Sequence, residues 1–162
     1  MLRALVLGQT GLELKDVVSV SLGAVGAALG IINTLNALNQ QKVKLRVVPK
    51  IAMPFINGQF GKDMGCIEVT NLSAFSVTVS EIGFTMNGRK LGKGNRVTIT
   101  DPFTADHQPF ARRLQSRESI TGYFDLNGIT STIGRAYVKT DCGEVAYGAG
   151  PAIDSIRKRA TG

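Results

Sequence analysis

The sequence predicts a mainly β fold: an antiparallel sandwich of about seven short strands preceded by one long N-terminal helix. Three observations carry that prediction. From Lys42 onward, apolar and polar residues alternate in short runs separated by Gly, Asn and Pro. Residues 17–41 hold neither a charge nor a proline, so a helix of that length is allowed. The chain is 43% hydrophobic with 19 glycines, which excludes a disordered chain and supplies many turns. The expected division is an N-terminal arm over 1–16, a hydrophobic helix over 17–41, the sandwich over 42–150 and a basic C-terminal tail over 151–162.

The N-terminal helix is apolar or small through Val17–Ile32, then mixed, with Asn33, Asn36 and Asn39 interleaved with Leu35, Ala37 and Leu38. Glu13 and Asp16 stand near its start and Lys42 and Lys44 at its end, both matching the helix dipole. Three readings compete. A bilayer core needs about 20 mainly apolar residues, which residues 17–38 supply, and the pair Gly26 and Gly30 lets two membrane helices approach closely. As an assembly helix, Leu22, Val25, Leu29, Ile32, Asn36 and Asn39 follow the three-four spacing of a coiled-coil seam. The third reading is a core helix lying against the domain. A signal peptide fits less well, because the apolar run starts late and follows acids rather than a basic segment. If the helix crosses a membrane, its basic C-terminal flank puts the sandwich on the cytoplasmic side.

In the globular part, Val43, Leu45 and Val47 alternate with Lys42, Lys44 and Arg46 as a half-buried strand that Pro49 is expected to end. Residues 51–64 read as a loop, and Cys66–Thr70 as the second strand. Val77 and Val79 share one parity while Ile82, Phe84 and Met86 share the other; a bulge at Ser80 and Glu81 would restore a single inward face. Asn87-Gly88 signals a tight turn, with Gly92 and Gly94 extending it. Val97 and Ile99 mark a short strand, residues 102–113 a loop, and 118–126 a strand with Ile120, Phe124 and Leu126 inward. A turn at Asn127-Gly128 leads to a closing hairpin, 135–140 with 144–147, and Ile153 and Ile156 make one amphipathic turn beyond it.

The runs IEVTNLSAFSVTVSEIGF, RLQSRESITGYFDL and GRAYVKTDCGEVAYG resemble the second and third strands, the later strand and the closing hairpin of bacterial and viral immunoglobulin-like domains. The resemblance spans about residues 43–148 at the level of fold and implies an immunoglobulin-like sandwich. The chain departs from antibody domains in lacking Trp and a Tyr two residues before the second Cys.

The net charge is +7. Arg3 and Lys15 cancel Glu13 and Asp16, so the excess lies in 42–162, with seventeen basic and ten acidic residues. The sharpest cluster is Lys42, Lys44, Arg46 and Lys50, a set suited to an anionic surface. The strand phase sends Cys66 outward and Cys142 inward with Ala136 and Val138, so no disulfide is expected between them. Asn71-Leu72-Ser73 matches a glycosylation sequon, a pattern short enough to occur by chance.

Catalytic chemistry finds no support. His107 is the only histidine and stands beside Asp106 in a loop, with Asp101 nearby but no nucleophile. One His and two separated Cys make no zinc set, and Asp101 and Asp106 lack the ligand density of a calcium loop. Gly92-Lys93-Gly94 lacks the rest of a phosphate loop. Arg112, Arg113 and Arg117 with Phe110 form the best basic-aromatic group, and Phe103, Phe110 and Tyr123 are the expected surface rings; that is too few for a nucleic-acid stacking surface. The expectation is therefore a non-catalytic sandwich, needing no cofactor or metal, anchored to or associated with a membrane and binding a protein partner. Its helix would act through Leu22, Val25, Gly26, Leu29, Gly30 and Ile32, and Lys42, Lys44, Arg46 and Lys50 would face headgroups. The alternative is a structural subunit of a phage or virus particle that self-associates through the helix.

Overall fold

A computed structural model describes residues 14–56, 58–86, 96–127 and 129–159. The turn expected at Asn87-Gly88, the Gly92-Lys93-Gly94 motif, Gly128 and most of the N-terminal arm lie outside the described residues. The chain divides into two units at Gln40/Gln41. The first holds one helix, α1, Leu14–Gln40, three residues longer at its start than the uncharged run suggests.

The second unit is two antiparallel sheets in a sandwich-like arrangement. Its strands are β1 (Leu45–Ala52), β2 (Phe55–Ile56), β3 (Gln59–Phe60), β4 (Met64–Asn71), β5 (Val77–Met86), β6 (Arg96–Thr98), β7 (Arg112–Leu114), β8 (Ser119–Asp125), β9 (Ile133–Thr140) and β10 (Val145–Gly148), followed by α2 (Pro151–Arg159). One sheet has the order β1-β4-β8. The other runs β10-β9-β5-β6, with β7 also paired to β5. Strands β2 and β3 form a small separate hairpin.

Alternation explains the core. Val47, Ile67, Val69, Ile120 and Phe124 face inward from the first sheet, and Val79, Ile82, Phe84, Ala136 and Val138 from the second. The rings of Phe84 and Phe124 meet edge to face across the layers, their centroids 5.8 Å apart. The register between β5 and β9 shifts between Val79 and Glu81. This is the bulge that the change of parity in the sequence requires, and it keeps Val79, Ile82 and Phe84 on one face. Gly122 has no side chain where the Phe110 ring fills the core: a Cβ there would come within 2.8 Å of that ring.

The structure corrects several sequence expectations. Strand β1 continues through Pro49, which pairs opposite Ile67; β1 is the outer strand of its sheet, where a missing N–H does no harm to the ladder. The loop expected over 51–64 contains the end of β1 and the β2–β3 hairpin, and the one over 102–113 contains most of β7. Phe110 is core, not a surface ring. Cys66 points to the outer face but is buried, because β4 is the central strand and Lys50 and Tyr123 flank it in the same cross-strand row. Cys142 is exposed at the β9–β10 turn rather than inward, because a turn residue has no sheet face behind it. Both sulfurs are free. The amphipathic turn expected at Ile153 and Ile156 is present and extends through the basic residues as α2, with both isoleucines buried in the core beside β1 and β9.

Asn71, wholly buried at the end of β4, ties this end of the sandwich together. Its Nδ2 donates to the carbonyls of Phe75 (2.8 Å), Leu114 (3.1 Å) and Gln115 (3.1 Å), and its Oδ1 accepts from the Ser73 amide at 2.9 Å. Its backbone pairs with Arg117 and Glu118. Ser73 Oγ then accepts from the Lys44 amide at 2.8 Å, and Ser116 Oγ donates to the Ser73 carbonyl at 2.6 Å. A glycan has no room on the Asn71 amide nitrogen, which is wholly buried and bonded to main-chain carbonyls, so the sequon is not open to modification in the folded chain. Replacing Asn71 with Ala strands those carbonyls, and buried groups left without partners are costly. Urea unfolding of N71A should show a stability loss of about 2–4 kcal/mol, whereas exposed Asn127→Ala should change it little.

Candidate functional site

Helix α1 is the first candidate element. Its span Val17–Gln40 is 24 residues with a mean hydropathy of 1.8, and every side chain in it is exposed. At 1.5 Å per residue it measures about 36 Å, against a hydrocarbon core of about 30 Å. Apolar residues surround it: Leu22, Val25 and Leu29 on one side, Val20 and Ile31 on the other, all more than half exposed. A soluble amphipathic helix would confine them to one stripe. Ser21 and Thr34 donate their hydroxyls to the carbonyls of Val18 (2.9 Å) and Gly30 (2.8 Å), which satisfies them without solvent.

Two faces of α1 offer different contacts. Leu22, Val25, Leu29, Ile32, Asn36 and Asn39 form one seam. Gly23, Gly26 and Gly30 form another face, about 120° away at 100° per residue, and a Cβ added at any of the three meets nothing within 4 Å. The glycine face and the Leu/Asn seam are therefore separable by mutation.

The structure splits the four basic residues of the first strand. Arg46 and Lys50 lie on the outer face of β1 and both reach Glu68 of β4, Arg46 at 3.7 Å. Lys42 and Lys44 precede β1, where the chain enters the sandwich.

His107 is exposed, in a left-handed backbone conformation with φ 56°. Asp106 gives its carboxylate to Arg112 at 2.5 Å, so the sequence neighbours do not act as a base pair. Hydrogen bonding from Thr104, then from Arg112, holds Asp106 down to about 2. His107 lines a groove of about 580 Å³ with Glu81, Asp101 and Phe103, which stacks on Tyr123 at 5.3 Å. No cluster of three or more His, Cys, Asp or Glu suited to a metal occurs among the described residues.

A third element escaped the sequence reading. On the outer face of the five-stranded sheet, Gly83 pairs with Tyr137 and Thr98, and Tyr137 with Tyr147, in one cross-strand row. The Tyr137 ring covers Gly83, within 2.8 Å of where a Cβ would stand, and is wholly buried there. Its hydroxyl donates to Glu81, which also accepts from Thr98 at 2.9 Å and pairs with Lys139 at 3.5 Å. The Arg96 guanidinium lies 5.2 Å from the Tyr137 ring centre and 5.7 Å from that of Tyr147, and Arg135 lies 5.2 Å from Tyr147. Arg96 also donates to the Tyr147 hydroxyl at 2.7 Å. The four residues are spread over 51 positions, so no local motif announced them. The only signal was parity: Arg135, Tyr137 and Lys139 alternate along one strand.

No protein-family model matches the chain, and no curated protein matches it.

The Glu81–Tyr137 pair makes a prediction about pH. The Tyr137 hydroxyl is the main influence holding the Glu81 carboxyl below its usual range, and burial, then the bond to Glu81, pushes Tyr137 up to about 12. A depressed carboxylate contributes stability above its ordinary range, which is lost as pH falls through the folded value. A raised tyrosine contributes stability below its ordinary value near 10, lost as pH rises toward 12. Tyr137→Phe should raise the Glu81 titration midpoint in carbon-detected NMR and flatten the stability profile at both ends.

Proposed function

We propose that this chain is a non-catalytic, immunoglobulin-like module anchored in a membrane by α1, with its sandwich on the cytoplasmic side and a protein partner bound there. The observation that carries the reading is α1 itself: 24 uncharged residues, apolar on every side and exposed. Association with lipid removes that surface from water without needing one preferred face. Lys42 and Lys44 follow the helix immediately, and basic residues flanking a span favour the cytoplasmic side.

The immunoglobulin-like type is supported by strand order. Leaving aside the β2–β3 hairpin and β7, which pairs with β5 off the main path, β1-β4-β8 corresponds to A-B-E, and β10-β9-β5-β6 to G-F-C-C′. Partner binding is supported by the outer sheet face, where Arg96 and Arg135 are held against tyrosine rings. Guanidinium groups fixed this way lose little freedom on meeting a carboxylate, which suits a partner presenting Asp or Glu.

The alternative is a structural subunit of a phage or virus particle, assembled through the Leu22–Asn39 seam. The Asn residues at seam positions favour it, since buried amides at such positions set register between helices.

Liposome flotation of the full chain beside residues 42–162 tests the anchor. The full chain should float without added partners and the truncation should stay at the bottom of the gradient; a full chain that stays soluble as a defined oligomer in the absence of detergent would favour the assembly reading. Mutation of the two faces separates the modes of helix pairing. Gly26→Ile with Gly30→Ile should weaken dimers at least tenfold in a membrane two-hybrid assay, a loss of about 1.4 kcal/mol or more. Asn36→Ala with Asn39→Ala should leave those dimers intact.

A further inference from the structure

We infer that the pole of the sandwich at which the chain enters rests on the lipid surface, with Phe75 and Leu72 reaching into an anionic headgroup layer. This deepens the membrane-anchor reading and rests on it. The pole is assembled by contacts already described. The Leu72 amide donates to the Lys44 carbonyl at 2.8 Å, Ser73 brackets Lys44, and Asn71 holds the Phe75 carbonyl. Arg113 Nε donates to Ser76 Oγ at 2.7 Å, and the Arg117 amide donates to the Asn71 carbonyl. Lys44, Arg113 and Arg117 are thereby placed around the 72–76 turn.

That turn exposes two large apolar side chains, Leu72 at 37% and Phe75 at 39%. Ala74 between them is exposed as well. An apolar tip with the Arg113 side chain bonded beside it, and with exposed Lys44 and Arg117 joined to it through their backbones, has the chemistry of an interfacial lipid contact. Among the described residues, Glu118, Asp141 and Glu144 are the acids at the pole. Glu118 turns its carboxylate onto the Gln115 amide of its own turn, at 2.7 Å. Asp141 and Glu144 belong to the β9–β10 turn, on the opposite side of β5 from β7 and therefore from Arg113. The 72–76 side itself has cations and no acid between Val69 and Ser80.

The other exposed aromatic tip, Phe55 and Phe60 on the β2–β3 hairpin, lies beyond the far end of β1. Eight residues of strand separate it from the entry pole by about 26 Å, so it cannot meet the same headgroup layer. It provides an internal control.

The chain has no Trp, so Phe75→Trp gives a single fluorescent reporter in the full-length protein. Reconstituted in phosphatidylcholine vesicles containing phosphatidylglycerol, the F75W emission should shift to the blue and be quenched by brominated lipid. Leu72→Trp, a second reporter that does not depend on how position 75 tolerates the larger ring, should behave alike. Phe60→Trp should emit as in water and resist the quencher. Adding Arg113→Glu and Arg117→Glu to F75W should abolish the quenching; both positions lie far in sequence from α1, so its insertion is left alone. If the protein floats with the vesicles but F75W and L72W emit as in water, the pole contact is wrong and the anchor stands. Equal quenching in phosphatidylcholine alone overturns the anionic requirement. If the full-length protein does not float at all, the anchor fails, and this inference fails with it.

Discussion

Asn71 holds one position from which three chain segments take their places. Its Nδ2 has only two protons but faces three carbonyls, those of Phe75, Leu114 and Gln115. Its carbonyl oxygen fixes the Ser73 amide, and Ser73 in turn fixes Lys44. The turn leaving the first sheet, the connection from β7 of the second sheet back to β8 of the first, and the entry of the chain into the sandwich thus share one buried amide. An apolar residue at position 71 would leave the buried Leu114 carbonyl without its donor and loosen the hold on Phe75 and Gln115, and a charged one would be buried beside them. Leu72 and Phe75 are held out to solvent for the same reason: the backbone between them is committed inward, so their side chains have nowhere else to go.

How much of the fold is legible in the sequence depends on the range of each interaction. Strands β4, β5, β8 and β9 were legible because alternation is local, and even the bulge at Ser80 and Glu81 showed as a change of parity. Pro49 misled because its effect depends on whether β1 is an outer strand, which only the sheet order decides. Cys66 misled because an outward residue on a central strand is covered by its cross-strand neighbours, here Lys50 and Tyr123. Phe110 looked like surface because its loop is polar; the space it fills is made by Gly122, twelve residues on. The row Thr98, Gly83, Tyr137 and Tyr147, with its two arginines, is a product of register between four strands and had no local signature.

The two units divide the physical tasks. The sandwich is stabilised by its own core, closed by Ile153 and Ile156 of α2, and it carries the whole excess of positive charge. The helix carries no charge from Val17 to Gln40 and keeps its apolar surface outward. In the proposed membrane setting, hydrocarbon takes the uncharged helix and anionic headgroups attract the basic domain joined to it. On α1 the glycine face and the Leu/Asn seam lie about 120° apart, with Val17, Val20 and Ile31 on the remaining side.

Anchored as proposed, α1 meets lipid on every face except the one bearing Gly26 and Gly30. Spin labels placed singly along positions 18–38 of the full-length protein in liposomes test it through their accessibility to oxygen and to a water-soluble nickel complex. The account predicts oxygen accessibility rising to a maximum near Leu29 and nickel accessibility falling to a minimum there, on every face but the one bearing Gly26 and Gly30. A nickel profile that stays high throughout, or one that dips only along Leu22, Val25, Leu29 and Ile32, would contradict it.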